Sequence, residues 1–436
     1  MKKILAAAIA AASVAAQAQA ATPSAEPWSL DSCISYAISH NITVRTRALD
    51  VVSAENSVVE AKDAFLPQLS GYASQSFNLG RALTADNTYA NRNTSSFSVG
   101  ANMSLPLFQG LSAVRRLDYA RVGLRAMVEQ LESAKDDVTL NVISQYLQAL
   151  YTGEMLSVAR ERLNISQMEL ARRGELLEAG KIPELDIYEA RSQVAADELS
   201  VVNAENDSIV ALLDLAQLLN LPEGAEGFAV RPLAETKLPM VSADEAYSRA
   251  LVSNHAIRAS VLEAEAASKN VAVAKTGYIP RLSFNAGIGT NYYSTTGFTN
   301  ESFGPQMRHN FAKSFGFSLS VPVFDAFSTR NSVRRAKVQE HNARLRLEDS
   351  RNRLFKAISQ AYTQAVGAEK KKEAANVAVE SSKAAFEAMR EKYNFGRANS
   401  TEFEKAKSDY TSALAQAVQA KYEASLRLMI LLFYNK

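Results

Sequence analysis

The sequence predicts a mainly helical protein with membrane β-strands, built as two tandem copies of one unit. Three observations carry that prediction. The 436 residues are 47% apolar but only 8% aromatic with 18 glycines, and long runs of Ala, Leu, Glu, Lys, Arg, Gln and Ser at helical spacing favour long helices over compact α/β layers. Segments near the N-terminus recur about two hundred residues later in the same order. Near the start of each copy, segments of roughly ten residues alternate strictly between apolar and small polar side chains.

The chain opens with "MKKILAAAIAAASVAAQAQA", two lysines, an apolar stretch and a small-residue end. This predicts a signal peptide over 1–20 and an exported chain starting at Ala21. Without Lys2 and Lys3, the 48 basic residues fall to 46, equal to the 46 acids. Such a balance argues against a nucleic-acid partner. No later segment is apolar for long enough to form a transmembrane helix. Cys33 is the single cysteine, so no intrachain disulfide forms, and its neighbours Leu30, Ala37 and Ile38 predict a buried place on a helix.

The first repeat occupies 21–220, a Pro/Gly-rich linker 221–241, and the second repeat 242–436. "SLDSCISYAISHN" from Ser29 matches "SADEAYSRALVSN" from Ser242, so both serines are expected N-caps, the second in a capping box with Glu245. Pro67 matches Pro280 at an offset of 213, whereas Pro106 matches Pro322 and Gly180 matches Gly396 at 216. The three extra residues therefore belong in or beside the second copy's hairpin loop. Each copy reads as a helix (roughly 29–64 and 242–277), a β-hairpin (about 68–108 and 281–324), a long helix near 111–177 or 327–393, a tip turn (178–184 and 394–400) and a last helix. The last helices run roughly 184–220 and 400–434. In the first long helix Leu117, Leu124, Leu131 and Val138 recur every seven residues, with Ala120, Met127 and Ala134 between them, as in a coiled-coil seam.

The strands carry the membrane prediction. "SFSVGANMSLPLF" sets Phe97, Val99, Ala101, Met103 and Leu105 against Ser96, Ser98, Gly100, Asn102 and Ser104. "LSFNAGIGTNY" and "KSFGFSLSVPVF" alternate likewise, and only the strand after Pro67 alternates poorly. Apolar outside and small polar inside over about ten residues is the pattern of a membrane β-strand. Four strands do not close a barrel, which needs about eight, and an open edge in lipid leaves backbone groups unsatisfied. Several chains must combine: a trimer supplies twelve strands, and arithmetic alone leaves a dimer open. Pro67 and Pro280 are read as the points where a helix stops and a membrane strand begins, and Pro106 and Pro322 as the return.

The tandem repeat, the "FLPQLS"/"YIPRLS" and "LPLF"/"VPVF" junctions and the two tip turns resemble the TolC family of outer-membrane efflux proteins, over nearly the whole exported chain. The resemblance implies a homotrimer with a twelve-stranded outer-membrane barrel continuing into a twelve-helix periplasmic duct. It also implies a periplasmic adaptor and an inner-membrane transporter as partners, with efflux of small molecules or secretion of proteins as the task. Ile42 and His255 follow Asn41 and Asn254, where many relatives carry proline.

A duct needs a gate, and the turns "EAGKIPELD" and "NFGRANSTE" are its expected tips. Gly180 and Gly396 fit left-handed helix ends, and Pro183 and Asn399 fit the starts of the next helices; the resemblance implies that these four tip residues are adaptor-docking candidates. By resemblance the gate positions are Asp186 and Tyr393; Ala398 stands where an arginine is expected, with Arg397 one place earlier. Glu402 and Lys405 occupy places where relatives carry acidic rings, and a threefold axis makes Glu402 a ring of three carboxylates. Glu402 and Asp186 equally suit simple capping in a first helical turn.

Enzyme chemistry finds little support: His40, His255, His309 and His341 are scattered, with no HExxH and no G-x-S-x-G, and no cofactor or metal site is expected. A coiled-coil scaffold without a pore explains the heptads but not strands of membrane length. The loops 80–95 and about 293–313, rich in Asn, Thr and Tyr, are expected outside the cell.

Overall fold

The protein is described from a computed structural model, over residues 27–83, 87–222, 224, 227–233 and 241–435. The signal-peptide prediction over 1–20, and part of the linker, lie outside the described residues. Contacts divide the chain into two compact units, one holding residues up to Thr46, Glu132–Asn254 and Arg353 onward, the other Arg47–Leu131 and His255–Asn352. No helix of the described residues is long and apolar enough to cross a membrane.

The two copies are plain in the element order. The first has α1 (Leu30–His40), α2 (Ile42–Asp63), β1 (Gln68–Asn78), β2 (Arg81–Leu83), β3 (Tyr89–Asn91), β4 (Thr94–Phe108), α3 (Ser112–Glu178) and α4 (Glu184–Leu219). The second has α5 (Ala243–Ser253), α6 (His255–Lys275), β5 (Arg281–Thr295), α7 (Phe303–His309), β6 (Ala312–Ser320), α8 (Ser328–Asn394) and α9 (Ser400–Tyr434).

The single helix expected at the start of each copy is two helices. Asn41 and Asn254 sit in extended conformation between them. Asn41 is buried and acts twice, its Oδ1 accepting from the Thr43 amide at 2.8 Å and its Nδ2 donating to the Leu218 carbonyl at 2.9 Å. It thus caps α2 while tying it to the end of α4, the competition with helix that asparagine offers. Ser29 and Ser242 are N-caps as expected, but Glu245 pairs with Arg249 rather than completing a capping box.

Pro67 and Pro280 immediately precede β1 and β5. Their partners depart from expectation. Pro106 lies inside β4, at a register shift, one row beyond the last β1 partner (Gln68 facing Ser104). A residue without an amide donor is tolerated there because one neighbour has already ended. Pro322 lies beyond β6, which ends at Ser320. The corner into each long helix is left-handed in both copies, through Gly110 and Leu111 (φ 60° and 64°) and through Ala326 and Phe327 (φ 49° and 61°). Three of these four carry side chains, a conformation costing roughly 1–2 kcal/mol per residue.

The four long strands form one antiparallel sheet in the order β1-β4-β5-β6, with β2 and β3 a small separate hairpin. One face carries Phe97, Val99, Ala101, Met103, Phe284, Ile288, Phe315 and Phe317; the other carries Ser70, Asn102, Gly287 and Ser314 in one row, and Gln68, Ser104, Asn285 and Gly316 in the next. Tyr72 lies across Gly100 and Gly289 on the polar face, and a Cβ added to Gly100 would stand 2.6 Å from the Ile288 carbonyl oxygen and 2.9 Å from the Tyr72 hydroxyl. β1 alternates poorly, as expected: Leu69, Ala73 and Phe77 lie in the apolar rows with Gly71 and Gln75, while Tyr72 lies in a polar row with Gln68 and Ser70.

α3 and α8 are 67 residues each. Of the expected α3 seam, Ala134 and Val138 are buried, while Val122 and Ala126 pack on Leu262 and Ala266 in place of Leu117 and Leu124. Cys33 is fully buried, as expected, and burial pushes its thiol up to about 12.

Candidate functional site: the helix tips

The two tips are built alike. The Gly180 and Lys181 amides donate to Leu177 and Leu176, and the Gly396 and Arg397 amides donate to Tyr393 and Lys392. With φ of 69° and 67°, Gly180 and Gly396 complete matching Schellman turns. They differ at the next helix start. Pro183 caps α4 without a side-chain bond, whereas Asn399 and Glu402 form a full capping box on α9, at 2.8 and 3.0 Å.

Above the turns, α3 presents Glu169 and Arg173, one turn apart, into the packed interior. Their side chains are 7% and 5% exposed, and Arg173 Nε donates to Glu169 Oε1 at 2.8 Å. Tyr393, in the last turn of α8, donates its hydroxyl to the same oxygen at 2.6 Å. Arg173 Nη1 donates to the Asp186 carbonyl in the first turn of α4 at 3.1 Å. Arg172 donates to the Tyr393 carbonyl at 3.1 Å and holds its guanidinium 4.5 Å from the Tyr393 ring centre. A cation at the end of α8 also suits the helix dipole. Tyr393 stacks on Phe403 at 4.8 Å, and Phe403 meets Phe386, which stacks on Tyr410. One carboxylate thereby fastens α3 to α8, and one guanidinium fastens α3 to α4.

The electrostatics match. Burial raises the Tyr393 hydroxyl above its ordinary range, and its bond to Glu169 raises it further. Burial works against the Arg173 charge, yet its bond to Glu169 and the neighbouring Tyr393 and Glu169 oxygens hold its affinity for the proton above normal. Burying a carboxylate is costly unless it is paired and hydrogen-bonded, and Glu169 has Arg172, Arg173 and Tyr393 as partners.

A second layer lies further along the same helices. Lys407 on α9 and Asp197 on α4 are each 1% exposed. Lys407 Nζ donates to Ser166 Oγ at 2.6 Å and reaches Asp197 Oδ2 at 3.5 Å and Glu404 Oε2 at 3.1 Å. Ser166 donates to Asp197, Gln193 donates to its other oxygen at 3.0 Å, and Arg162 Nε pairs with that oxygen at 2.8 Å. A third tie joins Lys421 of α9 to Glu154 of α3 at 2.9 Å. Burial, and then Glu154, raise the Tyr422 hydroxyl beside it.

Of the residues expected at the gate, Asp186 and Tyr393 enter one network, but through Arg173 and Glu169 rather than by a direct bond, and Asp186 contributes its backbone. Arg397 and Lys405 are exposed, and their side chains make no hydrogen bond or ion pair among the described residues. Glu402 caps its own helix. Sequence reasoning missed Glu169, Arg172, Arg173, Asp197 and Lys407. Lys407 had a legible signal, since Phe403, Lys407, Tyr410 and Leu414 form one helical stripe in which it is the sole charge; Asp197 continues the stripe Ile187, Ala190, Val194. No group of His, Cys, Asp and Glu arranged to hold a metal ion occurs among the described residues.

Comparisons with known proteins agree with this architecture. The chain is 20% identical over 423 residues to the outer membrane efflux protein BepC of Brucella suis, an alignment covering 97% of this chain and 87% of that one. It is 24% identical to the pyoverdine export outer membrane protein OpmQ of Pseudomonas putida, over 84% of this chain and 77% of the relative. Its fold superposes on the CmeC outer membrane channel of Campylobacter jejuni with a TM-score of 0.79 at 17% identity, covering 93% and 85% of the two chains. Residues 33–221 and 246–431, one span in each repeat, match the outer membrane efflux protein family, and the chain belongs to that family of outer-membrane channels.

Proposed function

We propose that three copies of this chain assemble into one exit duct, joined in the periplasm to an adaptor protein and through it to an inner-membrane transporter. The observation that carries this reading is the open four-stranded sheet. It is apolar on one face and polar on the other, and among the described residues β1 and β6 each have an unpaired edge. Such edges are unsustainable in lipid unless neighbouring chains pair with them. Three copies give twelve strands enclosing the neutral rows of Ser, Asn, Gln and Gly.

The tips are the gate in this reading. The Glu169–Arg173–Tyr393 cluster holds the α8–α9 pair against the α3–α4 pair, and opening requires that clasp to part. Asp186 keeps its carboxylate free of Arg173, available to a neighbouring chain. Gly180, Pro183, Gly396 and Asn399 form the rim offered to the adaptor. The decisive measurement is the mass of the purified protein in detergent, by light scattering corrected for the micelle. A trimer is the expected result; a stable monomer would overturn the duct.

A further inference from the structure

The apolar face of the sheet changes character abruptly near its loop end. Phe315 faces Ala286, but two residues away Lys313 faces Ile288, the one charged side chain in the apolar rows of the four strands. Both ends of the sheet that join helices lie at the Pro67 and Pro280 side, so this loop end is the outward one.

Beyond Ala312 strand β6 no longer covers β5, and three carboxamides take its place. Asn310 Nδ2 donates to the Asn291 carbonyl at 2.7 Å. Gln306 accepts from the Tyr293 amide at 2.9 Å and donates to the Tyr293 carbonyl at 3.0 Å; Asn300 does the same at Thr295, at 3.0 and 2.8 Å. These side chains reproduce the pairing a strand would supply, and so hold the segment 300–310 to the sheet. Phe303 packs on Phe97 and Tyr292, and Thr290 Oγ1 donates to the Met307 carbonyl at 2.7 Å. The last turn of α7 therefore lies on the outer, apolar face, one row (about 7 Å) above Lys313.

This turn carries Arg308 and His309. The one acid of the segment 296–311, Glu301, pairs with His309 at 3.2 Å. Arg308 and Lys313 are exposed and have no carboxylate partner among the described residues. Phe311, more than half exposed, lies under Lys313 at 5.8 Å, and in the same loop region Phe298, also more than half exposed, lies under Arg92 at 4.5 Å. Exposed aromatic rings beside cations, at the upper limit of an apolar band, suit the boundary between acyl chains and anionic headgroups.

We propose that Arg308 and Lys313, with Phe311 between them, bind the phosphorylated headgroup of an outer-leaflet glycolipid. The guanidinium suits a phosphate through paired N–H donors, the ammonium supplies a second charge, and the rings lie at the acyl boundary. The inference rests on the reading that the apolar sheet face meets lipid.

The test uses the full chain, delipidated in detergent and titrated with diphosphoryl lipid A, with its dephosphorylated form, and with phosphatidylethanolamine, scored by native mass spectrometry. Arg308→Glu with Lys313→Glu should weaken diphosphoryl lipid A binding about tenfold or more. Arg346→Glu, on α8, should leave it unchanged. Wild-type protein should prefer the phosphorylated form. Equal binding of both forms, or by the double variant, in protein that still inserts into phosphatidylethanolamine vesicles, would overturn this inference alone. Failure to insert would overturn the lipid-facing assignment with it.

Discussion

Tyr393 donates its hydroxyl proton to Glu169 at 2.6 Å, across 224 positions of sequence and between the two repeats. The bond uses an oxygen already held by Arg173, so the three groups act as a unit. Tyr393→Phe should cost about 1.5–3 kcal/mol, the range for a hydrogen bond to a charged group. It should also raise the conductance of the closed channel. A double-mutant cycle with Glu169→Gln, read by thermal denaturation and by bilayer conductance, should give a coupling of about 1–3 kcal/mol. Additive effects would mean that the two side chains do not act together.

Arg173→Met should cost about 2–4 kcal/mol, because it removes the shorter of the two ion pairs of buried Glu169 and leaves only Arg172, at 3.4 Å. Asp186→Ala retains the carbonyl that Arg173 uses. Its effect should therefore appear in leakage through the assembled channel and in antibiotic susceptibility, with little change in melting temperature. Unchanged leakage would remove Asp186 from the gate.

The Lys407 layer makes a separable prediction. Lys407→Met alone should destabilise the protein by about 1–3 kcal/mol, since buried Asp197 and Ser166 lose a cationic partner while Arg162 stays paired with Asp197. Combining it with Asp197→Leu and Arg162→Leu removes both buried charges together with the half-buried guanidinium that pairs with Asp197. That triple variant should melt closer to wild type than the single one does.

Glu402 offers a way to part capping from charge. Glu402→Ala should cost about 1 kcal/mol through loss of the box on α9. Glu402→Gln preserves the bond to the Asn399 amide and removes the charge. It should retain both stability and the wild-type response of conductance to divalent cations; a lost response would restore the ring of carboxylates.

Cys33 predicts an alkaline limb. Its thiol is raised from 9.0 to about 12 by burial, so the folded state holds a proton that the unfolded chain gives up first. The contribution is fully present below pH 9 and is lost as pH rises towards 12, by up to about 1.4 kcal/mol per pH unit. Urea titrations of wild type and Cys33→Ala should diverge only in that window, and the native thiol should resist alkylation at pH 8.

The sequence by itself determined the tandem repeat, the two long helices, the left-handed glycines at both tips and the amphipathic strands. Each rests on local chemistry at short spacing: helical or alternating periodicity, a capping residue, a proline without a donor. The breaks at Asn41 and Asn254 were missed because a side chain competing for backbone bonds leaves no mark in periodicity. Tertiary structure alone decided which partners meet. Glu169, Arg173 and Tyr393 look like ordinary exposed residues of charged helices, and only packing four helices at one level turns them into a buried clasp. Asn300, Gln306 and Asn310 likewise read as loop residues until β6 proves too short to cover β5. Long-range pairing depends on which backbone groups burial leaves unsatisfied, and that is a property of the folded surface rather than of any local segment.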